Sequence, residues 1–123
     1  TMFEHGKGVQ KVEKEAVRLY RLAAEQGHAH AQCNLGTMFE QGKGTQKDEK
    51  EAVRLYRLAA EQGHAIAQIK LGMMFEHGKS VVTNEKEAVR LYRRAAEQGD
   101  AHAQCNLGTM FEQGKGTQKD EKE

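Results

Sequence analysis

The chain has 123 residues, of which 37% are hydrophobic, with 13 glycines and no proline. Its 19 Lys and Arg residues nearly balance its 18 Asp and Glu residues, so it lacks the basic field that nucleic-acid binding requires. No segment approaches the run of about 20 apolar residues that a membrane-spanning helix needs, and no signal-peptide pattern is present. We therefore expect no nucleic-acid partner and no membrane insertion.

A repeat of 36 residues organises the whole sequence. The aromatic positions in register at this offset are Phe3, Phe39, Phe75 and Phe111, together with Tyr20, Tyr56 and Tyr92. The period predicts one array over residues 1–123, with units 1–36, 37–72 and 73–108 and a partial unit 109–123. Residues 29–51 and 101–123 are identical, which indicates recent duplication or an engineered array. Because the first five residues match the middle of a helix in later copies, we expect the chain to be an excerpt.

Each unit contains two helix signals separated by glycines, as the stretch from Ala29 to Gly63 illustrates. The first helix is predicted from Ala29 to about Gln41, because its apolar residues recur on one face of a 3.6-residue period. Gly36 beside that face predicts close approach of a neighbouring helix, since a helical glycine costs about 1 kcal/mol relative to alanine. Gly42 and Gly44 are expected to end this helix.

The second helix is predicted from about Asp48 to Gln62, with Asp48 as its N-cap. Its apolar face includes Val53, Leu55 and Tyr56. The short connections require neighbouring helices to pack antiparallel, and repeated pairs of this kind stack into a superhelix. The sequence therefore predicts an all-α fold, a solenoid of antiparallel helix pairs.

The string Ala-His-Ala-Gln-Cys-Asn-Leu-Gly-Thr-Met-Phe-Glu-Gln-Gly-Lys-Gly from Ala29, with Ala-Ala-Glu-Gln-Gly from Ala59, closely resembles the Sel1-like repeat, a relative of the tetratricopeptide repeat. The resemblance covers essentially the whole chain and implies a right-handed α/α solenoid that acts as an adaptor or scaffold in protein complexes. The family usually carries Trp where this chain has Leu19, Leu55 and Leu91, and Tyr where it has the four repeat Phe residues. Both are exchanges within the expected core.

The family that the chain resembles also includes bacterial members with two cysteines per repeat. Those cysteines form disulfides, and the proteins are sometimes linked to β-lactam binding. This chain has only Cys33 and Cys105, at equivalent positions two units apart. Helix axes pack at about 8 to 10 Å, so we expect a separation on the order of 20 Å, beyond disulfide range. Two thiols favour a reducing, cytoplasmic compartment.

The face of the first helix that the core does not use is the predicted partner-binding surface, and by resemblance to tetratricopeptide repeats it is the concave side. Its residues are His30, Cys33, Asn34, Thr37 and Gln41 in one unit, Ile66, Ile69, Lys70, Met73 and His77 in the next, and His102, Cys105, Asn106, Thr109 and Gln113 in the last. Differences between units concentrate here and in the loop that follows. In the middle unit, Ile66, Ile69 and Met73 predict either an apolar binding island or ordinary packing against a neighbouring helix.

Three chemical alternatives carry less support. His30 with Cys33, three residues apart on a helix, supplies only two ligands, which do not make a zinc site, so no metal or cofactor is predicted. The loop from Gly42 to Thr45 lacks the first glycine of a phosphate-binding loop and follows no strand. No catalytic set is apparent, and we expect no enzymatic activity.

The arginine stripe of the second helix, exemplified by Arg54, is interpreted as a solvated convex face paired with glutamates, with an acidic partner as the alternative.

Three functional hypotheses follow. The first is a non-enzymatic scaffold that binds a peptide or helix of a partner protein along the first-helix face. The second is a structural or engineered array that self-associates end to end without a specific ligand, since solenoids normally need polar caps. The third, an enzyme or β-lactam binder of the cysteine-rich type, is disfavoured by the missing cysteine pairs. Partner identity is not encoded in any motif of this sequence.

Overall fold

Six α-helices make up the computed structural model, which describes residues 2–117, with side chains from residue 8 onward. The helices are α1 Met2–Glu25, α2 Ala29–Gln41, α3 Glu49–Glu61, α4 Ala65–His77, α5 Glu85–Glu97 and α6 Ala101–Gln113. No strand occurs within residues 2–117. Contacts divide the chain into two compact units, Thr1–Ala59 and Ala60–Glu123, with the boundary inside α3. The all-α prediction is confirmed.

The predicted helix limits and caps agree closely with the structure. The Asp48 carboxylate accepts a 3.1 Å hydrogen bond from the backbone N–H of Glu51, as an N-cap does. Gly42 follows α2 with a left-handed backbone at φ 71°, which ends that helix. The sequence interpretation missed the N-caps of the first helices. His28 and His64 use their ring Nδ1, and Asp100 its carboxylate, to accept a bond from the third residue of α2, α4 and α6.

The first repeat, residues 1–36, departs from the pattern of the later repeats. Its helix α1 is one continuous helix where two helices were expected. The segment that corresponds to the loop at 42–48 lies within α1. Val9 and Val12 occupy the positions of Thr45 and Asp48. Since Val12 has no side-chain acceptor, this unit lacks the cap that begins α3, and the helix runs through the glycines. Alignment with the later repeats predicted that the helix would be interrupted here, but the residues at this place do not end a helix.

A tyrosine seated against a glycine joins α2 to α3. A Cβ atom added at Gly36 would lie 2.9 Å from Cε1 of the Tyr56 ring, and Tyr56 is fully buried. The backbone N–H of Asp48 donates to the carbonyl of Phe39 at 2.9 Å, so later residues of α3 meet earlier residues of α2. This order shows that the two helices pack antiparallel. The close approach predicted from Gly36 is confirmed.

The second compact unit, Ala60–Glu123, has the same arrangement between α4 and α5. A Cβ atom at Gly72 would lie 2.7 Å from Cε1 of Tyr92, and the N–H of Asn84 donates to the carbonyl of Phe75. Helix α6 then adds Met110, which is fully buried. The core cluster here consists of Ile69, Ala88, Val89, Tyr92, Ala95, Ala103 and Met110.

Buried glutamines tie the start of each first helix to the end of the preceding second helix. Gln68 is fully buried, and its Nε2 donates to the carbonyl of Ala60 at 3.1 Å. Its Oε1 accepts from Nε2 of Gln98 at 3.0 Å. Gln32 makes the equivalent bond to the carbonyl of Ala24 at 3.3 Å. These amides give each carbonyl a second hydrogen bond, since Ala60 and Ala24 also accept from the backbone N–H groups of Gly63 and Gly27.

We expect Gly36→Ala to destabilise the fold by about 1 to 3 kcal/mol, because the added methyl group overlaps the Tyr56 ring. Gly8→Ala is the matched control, since a Cβ atom at this helical glycine meets nothing within 4 Å. The control should raise the melting temperature through helix propensity alone. Thermal unfolding followed by circular dichroism distinguishes them, and equal shifts for both variants would contradict the close approach.

We expect Gln68→Leu to cost about 1 to 3 kcal/mol, because the amide of Gln98 and the carbonyl of Ala60 each lose a partner. The matched control is Gln104→Leu, whose side chain is exposed while making the equivalent bond to Ala96. Water can replace that partner. Urea unfolding should show a clearly larger loss for Gln68→Leu than for Gln104→Leu.

Candidate functional site

The residues predicted to bind a partner fall into two groups by exposure. Among the hydrophobic members, Ile66 is 49% and Met73 is 45% exposed. The other exposed or partly exposed members are His30, Asn34, Thr37, Gln41, Lys70, His77, His102, Cys105, Asn106, Thr109 and Gln113. These residues belong to α2, α4 and α6. Their role in binding stays a prediction, but their side chains are accessible.

Cys33 and Ile69 require a correction, because both are buried. Cys33 is 2% exposed and Ile69 is 9% exposed. Ile69 belongs to the core cluster with Val89 and Tyr92. A partner therefore does not meet these two side chains, and of the two interpretations of the apolar island, ordinary packing holds for Ile69. The cysteine of the His30-x-x-Cys33 pattern faces inward, which the helical period alone did not decide.

A pocket of about 190 Å³ lies between α4 and α6 in the second unit. Its lining residues are Met73, Glu76, His77, Tyr92, Asn106 and Thr109. Four of these six were predicted from the sequence as partner-binding residues. Glu76 and Tyr92 were not, because in the repeat pattern they read as a surface acid and a core aromatic. The structure thus brings predicted residues of two different helices into one concave site.

Glu76 is the charged centre of this pocket. Its Oε1 accepts a 2.8 Å hydrogen bond from the Tyr92 hydroxyl. Its Oε2 lies 3.5 Å from Nζ of Lys115, and Nε2 of His77 lies 3.8 Å from Oε1. The side chain is 12% exposed. A carboxylate held this way is fixed in position, so the pocket floor has a defined shape and polarity.

The first unit contains the same tyrosine–glutamate bond with different neighbours. The Tyr56 hydroxyl donates to Oε1 of Glu40 at 2.6 Å. The Thr37 hydroxyl lies 3.1 Å from the Tyr56 hydroxyl. On the outer face of α2, Nδ2 of Asn34 lies 3.2 Å from Nε2 of His30. The first unit therefore presents hydrogen-bonding groups where α4 presents Ile66 and Met73.

Burial is the main cause that raises the pKa of Tyr56 and Tyr92, and the hydrogen bonds to Glu40 and Glu76 raise it further. The folded chain consequently keeps both phenols protonated at a pH where the unfolded chain, with a tyrosine pKa of about 10, has released the proton. Stability linked to these groups is fully present below about pH 10 and is lost as the pH rises above it.

We expect the double variant Tyr56→Phe and Tyr92→Phe to flatten this alkaline loss of stability, since no ionisable group remains at either position. At neutral pH each substitution should cost about 1.5 to 3 kcal/mol, because a hydrogen bond to a carboxylate is removed. Urea unfolding from pH 7 to 11 provides the test. An unchanged alkaline slope in the double variant would contradict the assignment.

Neither metal chemistry nor a membrane span is indicated by the described residues. No group of three or more His, Cys, Asp or Glu side chains that could hold a metal ion is found among them. Within the same part of the chain, no helix has the length and apolar character to cross a membrane. Both cysteines are thiols, and of the two only Cys105 is exposed.

The first arginine of the stripe in each repeat pairs with the glutamate three residues before it, as predicted. Arg54 bonds Glu51 at 2.5 Å, and the Arg18–Glu15 and Arg90–Glu87 pairs repeat the arrangement. Two of the arginines one turn further along, Arg21 and Arg93, contact an aromatic ring. The guanidinium carbon of Arg21 lies 5.7 Å from the centroid of Phe39, and that of Arg93 lies 5.5 Å from the centroid of Phe111. Such contacts are favourable cation–π interactions that the sequence interpretation did not include.

Antiparallel helix pairs repeated at a fixed period, with a variable outer face, define the class of all-α repeat solenoids. The Sel1 repeat pattern matches residues 1–28, 29–64, 65–100 and 101–123, and this chain belongs to the Sel1 repeat family. Proteins of this family are generally non-catalytic scaffolds for protein–protein interactions.

Solved structures agree with this assignment. A Sel1 repeat protein from Oxalobacter formigenes is 48% identical over 87% of this chain and 44% of its own, with a TM-score of 0.82. The protective antigen c5321 of uropathogenic Escherichia coli, which displays the SLR fold, is 38% identical over 85% of this chain and 22% of its own, with a TM-score of 0.81. Cysteine rich protein B of Helicobacter pylori is 30% identical over 74% of this chain and 68% of its own, with a TM-score of 0.69.

The chain therefore spans less than half the length of the first two of these proteins. No curated protein sequence matches it.

Proposed function

We propose that this chain is a scaffold module that binds a peptide or helix of a partner protein on the exposed first-helix surface of its second unit. The observation that carries the proposal is the pocket between α4 and α6, with Glu76 fixed at its floor. Met73 lines the same pocket and is 45% exposed. A concave site that combines an exposed apolar side chain with a few oriented polar groups suits side-chain recognition.

The exposed apolar residues of α4 support this proposal. Ile66 and Met73 lie seven residues apart, which places them on one face of the helix, two turns from each other. Both are more than 40% exposed. Such a pair provides anchoring contacts for the apolar side chains of a bound peptide, while the pocket beside Met73 receives a further side chain.

Variation between the repeats points the same way. The equivalents of Ile66, Met73 and His77 in the preceding unit are His30, Thr37 and Gln41. By contrast, the core tyrosines and the glycines that receive them do not vary. A common frame with unit-specific outer residues is the arrangement by which repeat proteins recognise partners.

We expect the double variant Ile66→Asp and Met73→Asp to abolish binding of peptides selected from a random library on the immobilised chain. Leu22→Asp is the matched control, because Leu22 is 48% exposed, against 49% and 45% for the two tested residues, and lies on α1. The control should bind the selected peptides as the parent chain does. Helical content measured by circular dichroism should be unchanged in both.

Two results would contradict the proposal. One is retention of peptide binding by the double aspartate variant with its helices intact. The other is failure of the library to yield any peptide that binds the parent chain above background.

A further inference from the structure

The pocket between α4 and α6 carries a single negative charge. Its six lining residues include one carboxylate, that of Glu76, and no lysine or arginine. Because the Glu76 side chain is only 12% exposed, water screens this charge less than it screens a surface glutamate. The volume of about 190 Å³ lies below the roughly 300 to 1,000 Å³ of pockets that hold whole small molecules. The pocket therefore suits one side chain that ends in a cation.

Three oxygen acceptors surround the space. Oε1 of Glu76 already accepts from the Tyr92 hydroxyl at 2.8 Å, which leaves Oε2 for an incoming donor. Thr109 donates its hydroxyl proton to the carbonyl of Cys105 at 3.0 Å, so its oxygen keeps lone pairs with which it can accept. The side-chain amide oxygen of Asn106, which also lines the pocket, is the third acceptor. An ammonium group has three N–H donors and no acceptor, and it matches this set.

Met73 provides an apolar wall beside these acceptors. It lines the pocket and is 45% exposed, whereas its equivalent in the preceding repeat is the polar Thr37. A lysine side chain can lay its methylene groups against such a wall while its charged end reaches Glu76. Arginine suits the pocket less well, because its planar fork pairs best with both oxygens of a carboxylate and one of them is already bonded here.

Lys115 shows that the open oxygen of Glu76 can be reached by an ammonium group. Its Nζ lies 3.5 Å from Oε2 of Glu76. Lys115 follows the end of α6 and is not one of the lining residues, and its side chain is 37% exposed. An ion pair this long and this exposed is weak, so another ammonium group can replace it at little cost.

We propose that the pocket between α4 and α6 binds a lysine side chain of the partner peptide, and that this lysine displaces Lys115 from Glu76. The inference rests on the proposed peptide binding along α4 and names a residue that the peptide must contain. The methylene groups of the bound lysine lie along Met73. Its ammonium group pairs with Oε2 of Glu76 and donates to the oxygens of Asn106 and Thr109.

Two small probes test the pocket apart from the rest of the peptide. They are Nα-acetyl-lysine methylamide and Nα-acetyl-norleucine methylamide, which share the four-carbon stem and differ only in the ammonium group. NMR titration, followed at the side-chain amide of Asn106, measures both affinities. The parent chain should bind the lysine probe about tenfold or more tightly than the norleucine probe. Glu76→Gln should remove this preference.

Lys115→Gln separates the pocket's chemistry from damage to the fold, because it should increase affinity. Once Lys115 no longer occupies Glu76, the lysine probe should bind about two- to fivefold more tightly. Lys86→Gln is the matched control, since it removes the same charge from an exposed position on α5 outside the pocket lining. This control should bind the lysine probe as the parent chain does.

Three results with the probes would overturn the inference: equal affinities of the parent chain for both probes, a lysine preference that persists in Glu76→Gln, and Lys115→Gln that binds no more tightly than Lys86→Gln. The peptides selected from the random library provide a separate check, since they should be enriched in lysine. Selected peptides that lack lysine would overturn this inference alone. A library that yields no binding peptide would overturn the proposed function and this inference with it.

Discussion

The contact between a tyrosine ring and a helical glycine is the interaction on which the packing of this chain depends. Gly36 and Gly72 lack the Cβ atom that would meet the ring, and Tyr56 and Tyr92 fill the space completely. The glycine costs helix propensity, and the close approach it permits offsets that cost by burying an aromatic side chain. The contact occurs both between α2 and α3 and between α4 and α5. It therefore fixes the distance between the two helices of each pair.

The same contact also organises the candidate site. The ring of Tyr92 lies against Gly72, so its hydroxyl reaches the carboxylate of Glu76 one turn further along α4. A core side chain thereby helps to position the acid that forms the pocket floor. An outer residue such as Met73 can then differ between repeats without disturbing the helix pair, so the repeats share one frame and differ on their outer face.

Much of this architecture was predictable from the sequence. The 36-residue period follows from comparing the sequence with itself. The helix limits and the Asp48 cap follow from local pattern, since each depends on residues within one turn of the feature. The glycine inside α2 predicted a close approach for the same reason. What failed was the transfer of the pattern to the first unit, where Val12 replaces the capping acid and the helix continues.

The candidate site was only partly predictable. Helical periodicity places His30, Cys33 and Asn34 on adjacent positions of one surface but does not fix where the buried sector ends. Cys33 and Ile69 fall inside that limit, which depends on what packs against the helix. Glu76 entered the site through a hydrogen bond to a tyrosine sixteen residues away, which no local pattern contains. Side-chain contacts between helices therefore decide the site's details.

The most direct test of the tyrosine–glycine contact is a double-mutant cycle between Gly72 and Tyr92, with stability measured by urea unfolding. The account predicts that Gly72→Ala is destabilising in the parent chain but costs little, or stabilises, when Tyr92 is replaced by leucine. The coupling between the two positions should be about 1 kcal/mol or more. Additive effects of the two substitutions would show that the ring does not rest on Gly72, and would contradict the account.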